Sequence, residues 1–118
     1  MDFKSNKPIY MQIVDYSFHK MLTKEWQPDQ RIPSVRELAM LLQVNPNTAM
    51  RAFEYMQQED IIYPKRGLGY YVSPEAYKHV LSIRKKEFFD EILLETFALM
   101  DELGITFEEI SEKYKQSK

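Results

Sequence analysis

The chain has 118 residues, of which 44% are hydrophobic and 14% aromatic, and this composition predicts a folded protein of one domain, or one domain with a short appendage. It has no cysteine, which excludes disulfides, thiolate metal sites and cysteine nucleophiles. There is no run of eighteen apolar residues, and residues 1–5 do not resemble a secretion signal. We therefore expect a cytoplasmic protein with no membrane partner.

The formal net charge of −2 does not by itself indicate a protein that binds nucleic acid. Residues 1–72 carry 9 Lys/Arg and 8 Asp/Glu, whereas residues 73–118 carry 7 Lys/Arg and 10 Asp/Glu. Any contact with DNA must therefore come from a local cationic patch in the first part of the chain. The acidic second part is expected to face away from phosphate.

The first predicted helix begins at Lys7 and Pro8 and ends near residues 24–26. Proline suits the first turn of a helix, where its missing N–H group has no partner to lose. Apolar side chains recur at helical spacing along this segment: Ile9, Tyr10, Ile13, Val14, Tyr16, Phe18, Met21 and Leu22. Residues 27–30 are typical of a turn, and residues 31–33 are long enough only for a brief strand.

Two short helices with clear start signals follow. Ser34 and Glu37 form a predicted capping box, and Asn45 with Pro46 marks the next helix start. The side chains expected to point inward from these two helices are Leu38, Ala39, Leu41, Leu42, Ala49, Ala52, Phe53 and Met56. Two helices separated by a turn of three or four residues are typical of a helix-turn-helix.

The remaining segments predict a hairpin and then two helices. Residues 61–63 and 70–72 are β-rich runs around a turn with two glycines, which predicts a wing. A long helix is expected from Glu75 to Leu103, with Gly104 as its stop, and Thr106 with Glu109 forms a second capping box. The predicted fold is therefore mostly α with a small β-hairpin: a winged helix-turn-helix in residues 1–73, then a two-helix dimerisation region in residues 74–118.

The second helix of the helix-turn-helix carries the sharpest functional signal. Asn47, Thr48 and Arg51 lie off its buried stripe near the N-terminal end, which a recognition helix presents to the major groove. Arginine can bond guanine at two atoms, asparagine can do the same with adenine, and the helix N-terminus at Asn45 favours phosphate. The alternative for each residue is a cap or a solvated surface group, but their combination favours DNA contact.

Two further cationic positions are candidate DNA contacts. Arg36 lies in the first turn of its helix, where the helix dipole disfavours a cation and a phosphate would compensate, although pairing with Glu37 or Glu54 is the alternative. The predicted wing turn contains Lys65, Arg66, Gly67 and Gly69, which combine positive charge with freedom for close backbone approach. The alternative there is an ordinary basic hairpin turn.

The last long helix has more apolar residues than one small domain can cover. We therefore predict a homodimer interface that contains Phe88, Phe89, Ile92, Leu93, Phe97 and Met100, although a stripe of this kind could also line a ligand cavity. A small-molecule effector stays possible, but no cofactor is expected. His19 and His79 are too far apart in sequence to suggest a metal site, and no catalytic constellation is present, so an enzyme is not predicted.

Three segments resemble the DNA-binding domain of the GntR family of bacterial regulators: residues 31–39, 44–53 and 67–72. The resemblance covers about residues 7–73, and the Asn45-Pro46-Asn47-Thr48 sequence with the short tail is similar to the YtrA-like branch. It implies DNA contacts from the positions of Arg36, Asn45, Asn47, Thr48, Arg51, Gly67 and Gly69, and control of a transporter operon. Met50 departs from an arginine found in several other branches.

The sequence thus predicts a dimeric transcription regulator, most simply a repressor, that binds double-stranded DNA at a near-palindromic operator. Two-fold pairing would set the two recognition helices about one turn of DNA apart. The alternative is a winged-helix adaptor that binds other proteins and not DNA, which the neutral overall charge leaves open.

Overall fold

The computed structural model describes residues 6–118, and these fall into two compact units divided between Ser82 and Ile83. The mostly helical fold with an antiparallel two-stranded hairpin confirms the predicted fold class. The expectation about a secretion signal at residues 1–5 lies outside the described residues. In chain order the elements are α1 (Ile9–Leu22), α2 (Val35–Leu42), α3 (Pro46–Gln58), β1 (Ile62–Lys65), β2 (Gly69–Val72), α4 (Ala76–Glu87), a π-helical turn (Phe88–Ile92), α5 (Leu93–Leu103) and α6 (Phe107–Gln116).

The core of the first unit lies where α1 and α2 pack against α3. The predicted buried face of α3 is confirmed, because the four side chains assigned to it are fully buried: Ala49, Ala52, Phe53 and Met56. The prediction for Leu41 is wrong, since its side chain is 62% exposed. With Leu38 and Leu42 both inward, Leu41 points roughly 100° away from the middle of the buried arc at 100° of rotation per residue.

The helix starts follow the predicted capping pattern. The Glu37 N–H donates to Ser34 Oγ over 3.1 Å, and the Ser34 N–H donates to Glu37 Oε1 over 3.0 Å. Helix α1, in contrast, ends at Leu22, earlier than predicted. The chain reverses at Lys24, whose φ of 64° is left-handed, and the reversal brings Trp26 back to donate its N–H to the Lys20 carbonyl oxygen.

The wing is a hairpin supported by a third extended segment. Strands β1 and β2 pair from Ile62↔Val72 to Lys65↔Gly69. The backbone of residues 29–32 runs along the other edge of β2, where Asp29 N donates to Val72 O and Ile32 N donates to Tyr70 O. The predicted brief strand at residues 31–33 is present as a bridge between Arg31 and Tyr71. The Tyr70 ring also packs edge-on against Phe53 of α3, with ring centroids 5.0 Å apart.

The first unit continues beyond the wing into α4. Ala76 and Val80 are fully buried, so the compact unit extends to Ser82, past the predicted boundary at residues 73 and 74. The long helix expected up to Leu103 is interrupted by the π-helical turn, and it ends as predicted at Gly104, whose φ is 66°.

The second unit, residues 83–118, has no buried core of its own. None of its residues is buried, although it contains α5, α6 and ten large apolar side chains that are exposed. The predicted capping box of α6 is present, with the Glu109 N–H donating to Thr106 Oγ1 over 3.2 Å. Local signals thus mark the end of α5 at Gly104 and the start of α6 at Thr106, but packing within the unit does not bury the side chains of these helices.

Candidate nucleic-acid interface

The start of α3 is held by the residues that the sequence singled out. Asn45 is the N-cap, and its Oδ1 accepts the Asn47 N–H over 2.8 Å. Asn45 and Asn47 are exposed, whereas Thr48 is half-buried. The predicted caps are therefore present, and the Asn47 side chain is accessible at the positive end of the helix.

Arg51 is exposed one turn further along α3 and lies against an aromatic ring of α1. Its guanidinium carbon is 4.2 Å from the centroid of the Tyr10 ring. A cation over a ring face is attracted by the ring's negative quadrupole, which reduces the number of conformations that the arginine samples. Because the Tyr10 ring is uncharged, this pairing does not neutralise the charge of the exposed Arg51 guanidinium.

Arg36 lies close to the start of α3 although it belongs to α2. Its side chain lines a cleft together with Ala39, Met40, Val44 and Pro46, the first residue of α3. Arg36 is exposed. The turn between the two helices therefore brings this cation beside the N-terminus of the candidate recognition helix.

Glu37 is directed away from its predicted alternative role as a partner of Arg36. Its carboxylate accepts the Ser34 N–H and lies 3.9 Å from the Arg31 Nη2. The backbone and side-chain hydrogen bonds of Ser34, with a smaller contribution from Arg31, lower the pKa of Glu37. The carboxylate is thus committed to the helix cap.

The wing residues occupy two different places. Lys65 ends β1 with its Nζ 4.3 Å from the Tyr71 ring centroid, on the face of the hairpin where Tyr63 and Tyr71 stack. Arg66 and Gly67 lie in the turn, which is closed by a 2.9 Å bond from Leu68 N to Lys65 O. Gly67 has a φ of 77°, a left-handed conformation that glycine adopts without strain.

Charge on this side of the first unit is local, as the sequence required. The chain has five arginines, and four of them belong to α2, α3, the wing or the segment before α2: Arg31, Arg36, Arg51 and Arg66. These positions match the local charge that the sequence required for a DNA contact, given the overall net charge of −2.

Two residues at this site were not identified from the sequence. Arg31 bonds the wing turn, with Nε donating to the Leu68 carbonyl oxygen over 2.9 Å. Tyr10 supports Arg51 from another helix. Both contacts join positions far apart in the sequence, and periodicity within one helix or strand gives no signal for them.

The residues predicted for dimerisation lie in or beside the π-helical turn and in α5. Leu93 and Met100 are half-buried, and the other four are at least 43% exposed: Phe88, Phe89, Ile92 and Phe97. Within residues 6–118 no helix is long and apolar enough to span a membrane, and no three acidic or histidine side chains are grouped as metal ligands would be.

A helix-turn-helix followed by a hairpin, with cations at the start of its second helix and in the hairpin turn, defines a winged helix-turn-helix DNA-binding protein. Residues 9–72 match the bacterial regulatory proteins of the gntR family. The chain therefore belongs to the GntR family, whose members are DNA-binding transcription regulators and not enzymes.

Relatives match over nearly the whole chain and not only over the DNA-binding domain. The chain is 38% identical to the uncharacterized HTH-type transcriptional regulator YhcF of Bacillus subtilis, over 96% of this chain and 92% of that protein. It is 34% identical to the HTH-type transcriptional repressor YtrA of the same organism, over 98% of this chain and 88% of YtrA. A GntR family transcriptional regulator from Listeria monocytogenes is similar in structure, with a TM-score of 0.79, 34% identity, and 97% and 98% of the two chains covered.

Proposed function

We propose that this regulator is a homodimeric repressor that binds a near-palindromic operator with the start of α3 in the major groove and the wing beside it. The observation that carries the proposal is that Asn47 and Arg51 are exposed in the N-terminal half of α3, with Arg36 beside the helix start. In a helix-turn-helix this end of the second helix reads base edges.

Each candidate residue has a role that its chemistry allows. Arg51 and Asn47 carry the bidentate donors and acceptors that read guanine and adenine. Arg36, Thr48 and the N-terminal N–H groups of α3 suit phosphate oxygens, and so does the amide of Asn45 beyond its cap. The wing contributes Lys65 and Arg66, with Gly67 and Gly69 allowing its backbone to approach the duplex.

The second unit supports dimerisation, because its helices need a partner to be stable. Short helices without buried side chains are marginal in water, and residues 83–118 contain no buried residue. The exposed parts of ten large apolar side chains amount to roughly 800–1,000 Å², which is close to the ~800 Å² that each partner contributes to a standard interface. A second copy would bury the same patch on both chains about a two-fold axis.

Repression and the regulated genes are supported by likeness alone. YtrA, one of the relatives, is a transcriptional repressor by name. Control of a transporter operon is the part of the proposal that the YtrA-like resemblance implies. Identifying the genes next to the sequences bound in the cell tests it, because operators beside unrelated genes would contradict it.

Selection of bound duplexes from a random DNA pool is the experiment that tests the function. We expect enrichment of a sequence with two half-sites related by a dyad. The Arg51→Ala/Lys65→Ala variant should bind the selected duplex more weakly, with about 1–3 kcal/mol of the loss coming from Arg51. A charge-matched control, Lys78→Ala/Lys85→Ala, removes two exposed cations that are not among the proposed contacts and should bind as the wild type does at the same salt concentration. Equal binding by both double variants would contradict the assignment of the site.

A further inference from the structure

Arg31 joins the wing to the start of α2. Its Nε donates a 2.9 Å hydrogen bond to the carbonyl oxygen of Leu68, which is 37 residues away in the sequence and lies in the wing turn. Its Nη2 lies 3.9 Å from the carboxylate of Glu37, which forms the α2 capping box with Ser34. One side chain therefore spans the wing turn and the first turn of the helix that carries Arg36.

Gly69 shows how closely the turn approaches this guanidinium. A Cβ atom at Gly69 would lie 3.2 Å from Arg31 Nε, and the φ of Gly69 is 105°. The absence of a side chain thus allows the contact, while a Cβ at Gly67 would meet nothing within 4 Å. Gly67 in the turn and Gly69 at the start of β2 thus have different surroundings, and it is at Gly69 that a side chain would meet Arg31.

We propose that Arg31 is a positioning residue for DNA binding: it fixes the wing turn relative to the first turn of α2. The proposal rests on the proposed function, because the wing and Arg36 must meet phosphates of the same duplex for this spacing to matter. Within the turn, the Leu68 N–H bond to Lys65 closes the hairpin but does not relate the turn to α2. The backbone bonds between residues 29–32 and β2 hold that strand beside the segment before α2, and Arg31 extends this hold to the turn through a charge-assisted hydrogen bond to the Leu68 carbonyl.

Substitution by lysine distinguishes the positioning role of Arg31 from a direct contact with phosphate. Lysine can replace arginine in the phosphate contact but not in the positioning role. Lysine retains the positive charge but has no planar N–H fork to hold the Leu68 carbonyl and face Glu37 together. A phosphate contact made by charge would survive Arg31→Lys, whereas a fixed wing would not. Arg31→Gln removes the charge as well and completes the series.

The first test uses the full chain without DNA. We expect the amide of Leu68 to exchange its hydrogen faster in both Arg31→Lys and Arg31→Gln than in the wild type, with the melting temperature nearly unchanged because the Arg31 side chain is 53% exposed. Arg66→Gln is the matched control, since it removes a cation from the same turn without removing the Arg31 bond. Unchanged Leu68 exchange in both Arg31 variants would overturn the proposal, whatever the protein binds.

The second test measures binding to the duplex recovered from the selection. We expect a loss of about tenfold in affinity for Arg31→Lys and Arg31→Gln alike, as for one charge-assisted hydrogen bond. Arg66→Gln should lower the affinity for the duplex when it is introduced into the wild type. It should have little further effect on affinity in the Arg31→Lys background, because the wing is already displaced there. Wild-type affinity in Arg31→Lys, or additive losses in the double variant, would overturn the positioning role. If the wild type itself bound no selected duplex, the proposed function would fail, and the hydrogen-exchange result would still decide the wing contact.

Discussion

At the scale of single residues, Tyr10 packs against Arg51, one of the proposed DNA contacts. Its ring centroid lies 4.2 Å from the Arg51 guanidinium, a contact that contributes about 0.5–1 kcal/mol at exposed sites. We expect Tyr10→Leu to weaken binding to the selected duplex by roughly two- to fivefold, in line with that free energy. Tyr10→Phe retains a ring and should bind nearly as the wild type does. Fluorescence anisotropy with labelled duplex measures both.

The same Tyr10 substitution made in the Arg51→Ala variant is the control for the contact between Tyr10 and Arg51. Tyr10→Leu should have no further effect on affinity there, because the side chain that the ring supports is absent. An equal loss in Tyr10→Phe and Tyr10→Leu would show that the hydroxyl, and not the ring face, carries the effect.

Leu41 and Leu42 provide a matched pair for the stability of the first unit. They are neighbours in α2, but Leu41 is 62% exposed and Leu42 only 6% exposed. Leu42→Ala should lower the free energy of unfolding by about 2–5 kcal/mol through lost burial and a cavity. Leu41→Ala should change it by less than about 0.5 kcal/mol. Urea unfolding of both variants measures the difference, and similar losses for the two would mean that Leu41 is covered in solution.

What the sequence predicts for single residues depends on how local the contact is. The caps at Ser34 and Asn45 involve neighbours in the chain, and both were predicted correctly. The partners of Arg31 and Arg51 lie on other elements, so no spacing rule could identify them. The error at Leu41 arose because an apolar residue was assumed to be buried, although apolar side chains also form much of a protein's surface.

At the level of elements, the α2 capping box predicts an acid-sensitive helix start. The Ser34 hydrogen bonds lower the pKa of Glu37 below its ordinary value of 4.5, so the folded state binds this proton less readily than the unfolded state. The stabilisation is therefore present above pH 4.5 and is lost as the pH falls through the folded-state pKa. We expect the stability difference between the wild type and Glu37→Gln to shrink over that range in urea unfolding series.

Ser34→Ala tests the cause of this pH dependence. It removes the hydroxyl that accepts the Glu37 N–H but keeps the Ser34 backbone N–H, which makes the larger contribution to the shift. The acid-dependent loss should therefore be reduced but not abolished in this variant. If Ser34→Ala loses as much stability in acid as the wild type does, the lowered pKa of Glu37 is due entirely to the backbone hydrogen bond.

Elements that are marked by a particular residue type in the local sequence were predicted better than features that no such residue marks. The hairpin was predicted from the two glycines between its β-rich runs, and the end of α5 was predicted from Gly104; both are present. The π-helical turn contains no glycine or proline that would have marked it. The earlier end of α1 arises from a reversal at Lys24 that is closed by Trp26. Neither feature changes the order of the elements, so the fold class was still predicted.

For the whole molecule, the two units differ in how far they are folded by their own contacts. The first unit encloses a core in which Ile13, Leu38 and Phe53 are fully buried. The second unit has capped helices and no buried residue. The sequence predicted this difference as an excess of apolar residues in the last long helix, and in the structure of residues 6–118 many of these side chains are exposed.

A dimer that pairs through the second unit gives a prediction that separates oligomeric state from DNA contact. Phe97 is 44% exposed on α5, and Phe97→Glu places a charge in the proposed interface. We expect this variant to sediment as a monomer at concentrations where the wild type is a dimer, because burial of an unpaired charge opposes association. Its affinity for the full selected duplex should fall steeply, while its affinity for a single half-site should match that of the wild type. Leu41→Glu places the same charge on an exposed apolar residue of the first unit and should remain dimeric. A wild type that sediments as a monomer at micromolar concentration, or a dimeric Phe97→Glu, would contradict pairing through this surface.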